Sequence, residues 1–259
     1  MTEEEALENL IKLSRNLGER ANHYVILGEG NTSARMDDKS FWVKASGVSL
    51  DGIDSDGFVK VSFEKVLQML EWENIGDEEI KQGLKEATLS SVGGRHPSVE
   101  TLLHALLLEL ENVSYVAHTH PPAVNRILCS KQAQEAIKGR LFPDEIVVCG
   151  IAPLYVPYSD PGVPLARAVQ KAVLKYQGQY GVRPKVILLE NHGLIALGST
   201  SQEAENITAM YVKIAEILWG TFLLGGPNFL SESHANRIYT RPDEKYREGM
   251  LKGSGKPGS

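Results

Sequence analysis

The chain has 259 residues, 42% of them apolar and 23% charged, an ordinary globular composition and ample length for one domain with a sizeable core. Its 27 basic and 33 acidic residues give a net charge of −6, which argues against a nonspecific nucleic-acid binder but not against a local pocket for a small anion. No apolar run approaches the ~18–20 residues of a membrane span, and the acidic start Met1-Thr2-Glu3-Glu4-Glu5 lacks a signal-peptide pattern.

Residues 3–18 place apolar side chains at helical spacing and predict a first helix ending near Gly18. Residues 23–50 hold short β-like runs joined by Gly, Asn and Asp turns. Helices are predicted over 62–73 and 77–87, split by Asn74-Ile75-Gly76. A further helix is expected over 97–111. Pro97 suits its first turn, Leu102, Leu103, Leu106, Leu107 and Leu110 follow at helical spacing, and Glu100 lies where the helix dipole favours a carboxylate. A strand follows at 114–120, helical character over 121–139, and a strand-like stretch over 146–156 around Cys149-Gly150. Asp160-Pro161-Gly162 opens a helix over 163–178, and strands at 185–190 and 194–197 flank His192. Thr200-Ser201-Gln202-Glu203 starts a last long helix to about Leu218, with a capping box displaced by one position. There is no internal repeat. Residues 1–250 read as one α/β domain, and 251–259 as a disordered tail. Cys129 and Cys149 form no CxxC pair, which suggests a reducing, cytoplasmic setting and makes the sequon Asn112-Val113-Ser114 accidental.

The chemistry concentrates in three segments. In Tyr115-Val116-Ala117-His118-Thr119-His120-Pro121-Pro122, strand alternation puts His118 and His120 on one face, and the two prolines end the strand at a rim. Two imidazoles so placed can grip one metal ion; the alternative is a surface strand with incidental histidines. His192, in the polar Glu190-Asn191-His192-Gly193 between two apolar runs, is a third candidate ligand, with Gly193 allowing a positive φ; a plain hairpin turn is the alternative. In the third segment Glu100 reads as a capping charge in the first turn, where free N–H groups could also hold an anion. His104, one turn on and on the same face, reads as a packed or supporting residue, with a fourth ligand as the alternative.

Five pieces in order, Gly28-Glu29-Gly30-Asn31-Thr32-Ser33, Ala45-Ser46-Gly47, Pro97-Ser98-Val99-Glu100-Thr101, His118-Thr119-His120-Pro121 and Asn191-His192-Gly193, resemble the class II aldolase/adducin family over roughly residues 5–225. Trp42-Val43-Lys44-Ala45-Ser46-Gly47 and Thr240-Arg241-Pro242-Asp243-Glu244 tilt the resemblance toward its L-fuculose- and L-rhamnulose-1-phosphate aldolases. The resemblance implies a three-layer α/β fold with a central, mainly antiparallel sheet and helices on both faces. It implies His118, His120 and His192 as metal ligands, Glu100 as acid/base and optional fourth ligand, and Asn31, Ser46, Gly47 and Ser98 as the phosphate site. Val99 stands where fuculose-phosphate aldolases often carry a second Ser, so one phosphate donor is either missing or supplied elsewhere, by Lys44 or Thr32.

The expected activity is that of a class II aldehyde-lyase. It cleaves a ketose 1-phosphate into dihydroxyacetone phosphate and an aldehyde through a metal-stabilised enediolate, using Zn2+ or another divalent ion such as Mn2+ or Co2+. A second acid/base is expected from a neighbouring subunit of a homotetramer, with Asp144 first and Glu145, Tyr239 and Tyr246 as alternatives. The apolar run from Ile214 to Leu224 is a candidate for packing there. An epimerase, a dehydratase or a decarboxylase would share the metal site. A noncatalytic adducin-like module is expected to lack the three histidines that this chain keeps.

Overall fold

The computed structural model describes residues 2–72 and 76–252. The elements run in the order α1 (Glu3–Gly18), β1 (Asn31–Arg35), β2 (Ser40–Lys44), β3 (Phe58–Ser62), α2 (Phe63–Gln68), α3 (Asp77–Ala87), β4 (Thr88–Ser90), α4 (Thr101–Leu108) and β5 (Tyr115–Thr119). They continue through α5 (Pro122–Leu128), α6 (Ala133–Ala136), α7 (Pro143–Cys149), β6 (Leu154–Val156), α8 (Val163–Tyr180), β7 (Val186–Leu189), β8 (Gly193–Gly198), α9 (Ser201–Leu223), α10 (Glu232–Thr240) and α11 (Pro242–Leu251).

The strands form one sheet in the order β4-β3-β2-β1-β5-β8-β7-β6, antiparallel except for the β6–β7 pair. Alternation along the strands divides the core in two. Val116, Ile187, Leu189, Ile195 and Leu197 face a layer built from α2, α3, α4 and α8. Tyr115, Ala117, Val186, Leu188, Leu194 and Ala196 face α1, α5 and α9. Both sheet faces are therefore covered, as the family resemblance implies.

Local chemistry explains most element ends. Thr2 caps α1 in a reciprocal box with Glu5, the backbone-to-side-chain bonds being 3.2 and 2.7 Å. At α9 the Thr200 hydroxyl accepts from the Glu203 N–H at 3.1 Å, while the Glu203 carboxylate accepts from Ser199 rather than Thr200. That is the displaced box. The helix then runs to Leu223, five residues past its predicted end.

Three expectations are corrected. The helix predicted from Pro97 begins at Thr101, because Pro97 instead bridges Ala45 beyond the end of β2. The strand-like stretch 146–156 is half helix: Pro143 at the first helical position and Asp144-Glu145 in the first turn start α7, and only Leu154–Val156 is strand. The predicted helix over 62–73 gives way to a 3-10 turn at Met69–Glu71, and the proposed split at Asn74-Ile75 lies outside the described residues. Strands β3 and β4 and helices α10 and α11 carry no signal in the sequence reading. Of the predicted tail, α11 reaches Leu251 and the Lys252 carbonyl accepts from the Thr200 hydroxyl, while 253–259 lie outside the described residues.

Candidate metal centre

β5 delivers His118 fully buried on the α4 face of the sheet, directly opposite Asn31 of β1. The chain leaves the strand at His120, whose N–H donates to the Tyr24 carbonyl at 2.9 Å, and Pro122 opens α5. His192 projects from the β7–β8 turn, where Asn125 Nδ2 donates to its carbonyl at 3.1 Å. The left-handed residue of that turn is Asn191, with φ +54°, and not Gly193. Glycine is required at 193 for a different reason: a Cβ there would lie 2.6 Å from both His120 Cδ2 and the Thr119 carbonyl.

The ring tautomers follow from the acceptors. His118 Nδ1 lies 3.0 Å from the Leu194 carbonyl, and His120 Nδ1 lies 3.2 Å from the Glu29 carboxylate. Both partners only accept, so each ring carries its proton on Nδ1 and turns a lone-pair Nε2 inward. His118 Nε2 is then 3.0 Å from His120 Nε2 and 3.3 Å from His192 Nε2. Nitrogens held at about 2.0–2.1 Å around a tetrahedral ion are about 3.3–3.4 Å apart, close to these two separations, and all three ligand atoms lie within 4.8 Å of one another. Among the described residues these three histidines form the group able to hold a metal ion.

Glu100 takes the fourth direction. Its Oε1 is 3.5 Å from His118 Nε2 and 3.2 Å from His192 Nε2, and its Oε2 accepts from Asn31 Nδ2 at 2.5 Å. Where the His118 lone pair is not given to an ion, Glu100 and His118 shift together: burial opposes charge on both, but each draws the other toward its charged form, so the carboxyl lies below the usual carboxylate range and the His118 ring is pushed up. Burial pushes His120 down to about 4, with His118 adding to the effect, so its ring stays neutral near pH 7. Three imidazole nitrogens and one carboxylate are the donor set a catalytic divalent ion takes.

The expected phosphate residues gather unevenly. The Ala45–Pro97 bridge and a 2.8 Å bond from the Ser46 N–H to the His96 carbonyl bring Ser46 and Gly47 beside Ser98. Gly28 closes on the same turn, because a Cβ there would sit 3.3 Å from the Gly47 carbonyl. The Ser98 hydroxyl is buried without a hydrogen-bond partner, which suits a ligand oxygen. Asn31 differs: its amide engages Glu100 at one end and His104 at the other. Of the two substitute donors, Lys44 lies at that same turn and Thr32 is engaged away from it. The Lys44 ammonium donates to the carbonyls of Gly28, Ala45 and Val48, and the Thr32 hydroxyl bonds Ser14 toward the α1 layer.

Asp144 sits in the first turn of α7, 2.7 Å from Arg247. Glu145 is buried against Arg140 at 2.7 Å, Tyr239 lies under the Lys245 ammonium, and Tyr246 is exposed. None of the four joins the histidine cluster of its own chain. Glu29 went unassigned in the sequence reading; its only signal was an acidic residue inside an otherwise small, polar turn.

The sequence profile of the Class II Aldolase and Adducin N-terminal domain matches residues 8–219. The uncharacterized oxidoreductase YuxG of Bacillus subtilis is 30% identical over 200 residues, 73% of this chain and 26% of that protein. The chain thus spans about a quarter of that relative's length. The 3-oxo-tetronate 4-phosphate decarboxylase of Haemophilus influenzae is 24% identical over 220 residues, 85% of this chain and 89% of that protein. Among solved structures, an L-fuculose 1-phosphate aldolase superposes with a TM-score of 0.69 at 19% identity, covering 95% of this chain and 98% of that one.

Proposed function

The chain belongs to the class II aldolase and adducin family, and from that premise we propose that it is a divalent-metal-dependent aldehyde-lyase acting on a ketose 1-phosphate. The observation that carries this reading is the convergence of three imidazole Nε2 atoms and the Glu100 carboxylate on one point, two residues along the chain from an unpartnered, buried Ser98 hydroxyl. The L-fuculose 1-phosphate aldolase of the same fold makes a sugar phosphate the natural first substrate to try.

His118, His120 and His192 would hold Zn2+, or Mn2+ or Co2+ in its place, with Glu100 as a fourth ligand at rest. When bound, the ion supplies a Lewis acid that offsets the negative charge left on the dihydroxyacetone phosphate fragment. In the cleavage direction the C3–C4 bond breaks, its electron pair stays with the three-carbon fragment, and C4 departs as the aldehyde. In the synthetic direction Glu100 Oε1 removes a proton from C3; in the cleavage direction Glu100, displaced from the ion by substrate and protonated from solvent, returns one to C3. Its Oε2 is occupied by Asn31, so one oxygen is left to act. Ser46, the Gly47 turn and Ser98 bind the phosphate and orient the reacting carbons. The proton of the C4 hydroxyl goes to Asp144 of a neighbouring copy in a homotetramer.

The second reading is a decarboxylase, favoured by the Haemophilus influenzae relative that matches nearly end to end. It needs the same charge stabilisation but releases CO2. Purified protein loaded with Zn2+, Mn2+ or Co2+ should be offered L-fuculose, L-rhamnulose and L-ribulose phosphates and 3-oxo-tetronate 4-phosphate. Trapped dihydroxyacetone phosphate from a ketose 1-phosphate supports the aldolase. Release of CO2 alone would replace it with the decarboxylase.

A further inference from the structure

Behind Glu100 a chain of polar groups runs into the core. Asn31 Nδ2 donates to Glu100 Oε2, Asn31 Oδ1 meets His104 Nε2, and His104 Nδ1 lies 2.7 Å from the Ser33 hydroxyl. Asn31, Ser33 and His104 are all buried, between β1 and α4. A buried amide this close to a carboxylate can present either its N–H or its carbonyl oxygen, and the two choices have opposite consequences. Presented as N–H, it steadies one carboxylate oxygen. Presented as carbonyl, it sets acceptor against acceptor and drives the carboxylate away.

His104 decides the choice. Only a donor at Nε2 fits Asn31 Oδ1, and a neutral ring with its proton there must accept at Nδ1, where Ser33 can donate. One proton assignment satisfies all three bonds. We propose that His104 is a positioning residue: as the Nε2–H tautomer it fixes the Asn31 amide, which pins Glu100 Oε2 and leaves Oε1 alone facing the imidazoles of His118 and His192. The inference rests on the reading that those imidazoles hold a metal. Burial pushes the His104 ring down to about 3, in keeping with a ring that stays neutral.

The tautomer can be read without substrate. Nitrogen-15 labelled protein, with the His104 signals assigned by their loss in His104→Gln, should show a neutral ring protonated at Nε2 at pH 7. A doubly protonated ring, or one protonated at Nδ1, overturns the proposal whatever the enzyme does. The consequence is read in Co2+-substituted protein. His104→Leu should keep its cobalt but change the visible band in intensity and position, as Glu100 becomes free to bind through both oxygens. His104→Gln, which can still offer an N–H to Asn31, should restore the parent band. On a substrate found active, His104→Leu should lower kcat about 10²-fold with KM within a few-fold, since a misplacement near 1 Å costs about that much. His104→Gln should recover most of that loss. A parent-like band and kcat in His104→Leu overturn the role. If no substrate is turned over, the aldolase reading fails while the tautomer and cobalt results still judge this one. Should His104→Leu not fold, the tautomer and the His104→Gln band decide.

Discussion

At the residue scale, the two oxygens of Glu100 have different duties: Oε2 accepts from Asn31, and Oε1 faces His118 and His192. Glu100→Gln keeps the shape and removes the proton carrier. It should retain bound metal through the three histidines and lose about 10²–10⁴-fold in kcat, read by metal analysis beside initial rates. Near-parent turnover would reduce Glu100 to a charge at the start of α4. His104 offers a test by pH. Its folded value, about 3, lies below the 6.5 of an exposed ring, so the unfolded chain binds the extra proton first. The resulting stability is fully present above about pH 6.5 and is lost as pH falls toward 3. At pH 5 this single group should cost about 2 kcal/mol. His104→Gln should therefore show a shallower fall in melting temperature between pH 7 and 5 than the parent; equal slopes would mean that the ring charges in the folded state. The metal-site residues were legible because strand alternation and a short turn fix where a histidine points. The duty of Asn31 was not, since its partners come from residues 69 and 73 positions away.

At the element scale, the site stands where β5 ends and the β7–β8 turn closes over it. Close approach, not backbone angle, fixes Gly193, and no sequence pattern distinguishes the two reasons. Gly193→Ala drives a methyl into His120 Cδ2 and the Thr119 carbonyl. It should lower metal affinity sharply, measured by chelator competition, while the far-UV spectrum stays that of the parent. Unchanged affinity would show that the turn can relax. The proposed phosphate site has the same composite origin: the turn after β2 is clipped to the segment before α4 by Ala45 and Pro97. Ser46→Ala combined with Ser98→Ala should weaken phosphorylated substrates much more than free sugars and leave metal content intact. Equal discrimination by parent and variant would place the phosphate elsewhere. The late start of α4 escaped the sequence because Pro97 fits a first helical turn as well as it fits a bridge. The β-branched Val147 and Val148 misled similarly, since their strand preference is overridden by the helix start at Pro143.

At the scale of the whole molecule, a net charge of −6 gives no long-range pull on a phosphate, so affinity rests on local donors. Among the described residues the surface carries an apolar feature at the end of α9 that a single chain leaves uncovered. Leu218 is the last buried residue of α9, and the helix continues with Trp219, Phe222 and Leu223 exposed, followed by Leu224 at 90% exposure. Arg126 of α5 stacks over Trp219 at 5.3 Å, so the patch spans two helices. Side chains of this size rarely cluster in water without a partner. We expect a second copy of the chain there, in the homotetramer that would bring Asp144 to a neighbour's histidines. Trp219→Asp with Leu223→Asp lies outside the core and outside the metal centre, so folding and metal content should survive. Light scattering should then show dissociation, and kcat should fall with it, because the acid/base supplied between copies is lost. Activity that persists in a monomer would remove the neighbour from the mechanism and return the C4 hydroxyl proton to a group of the same chain.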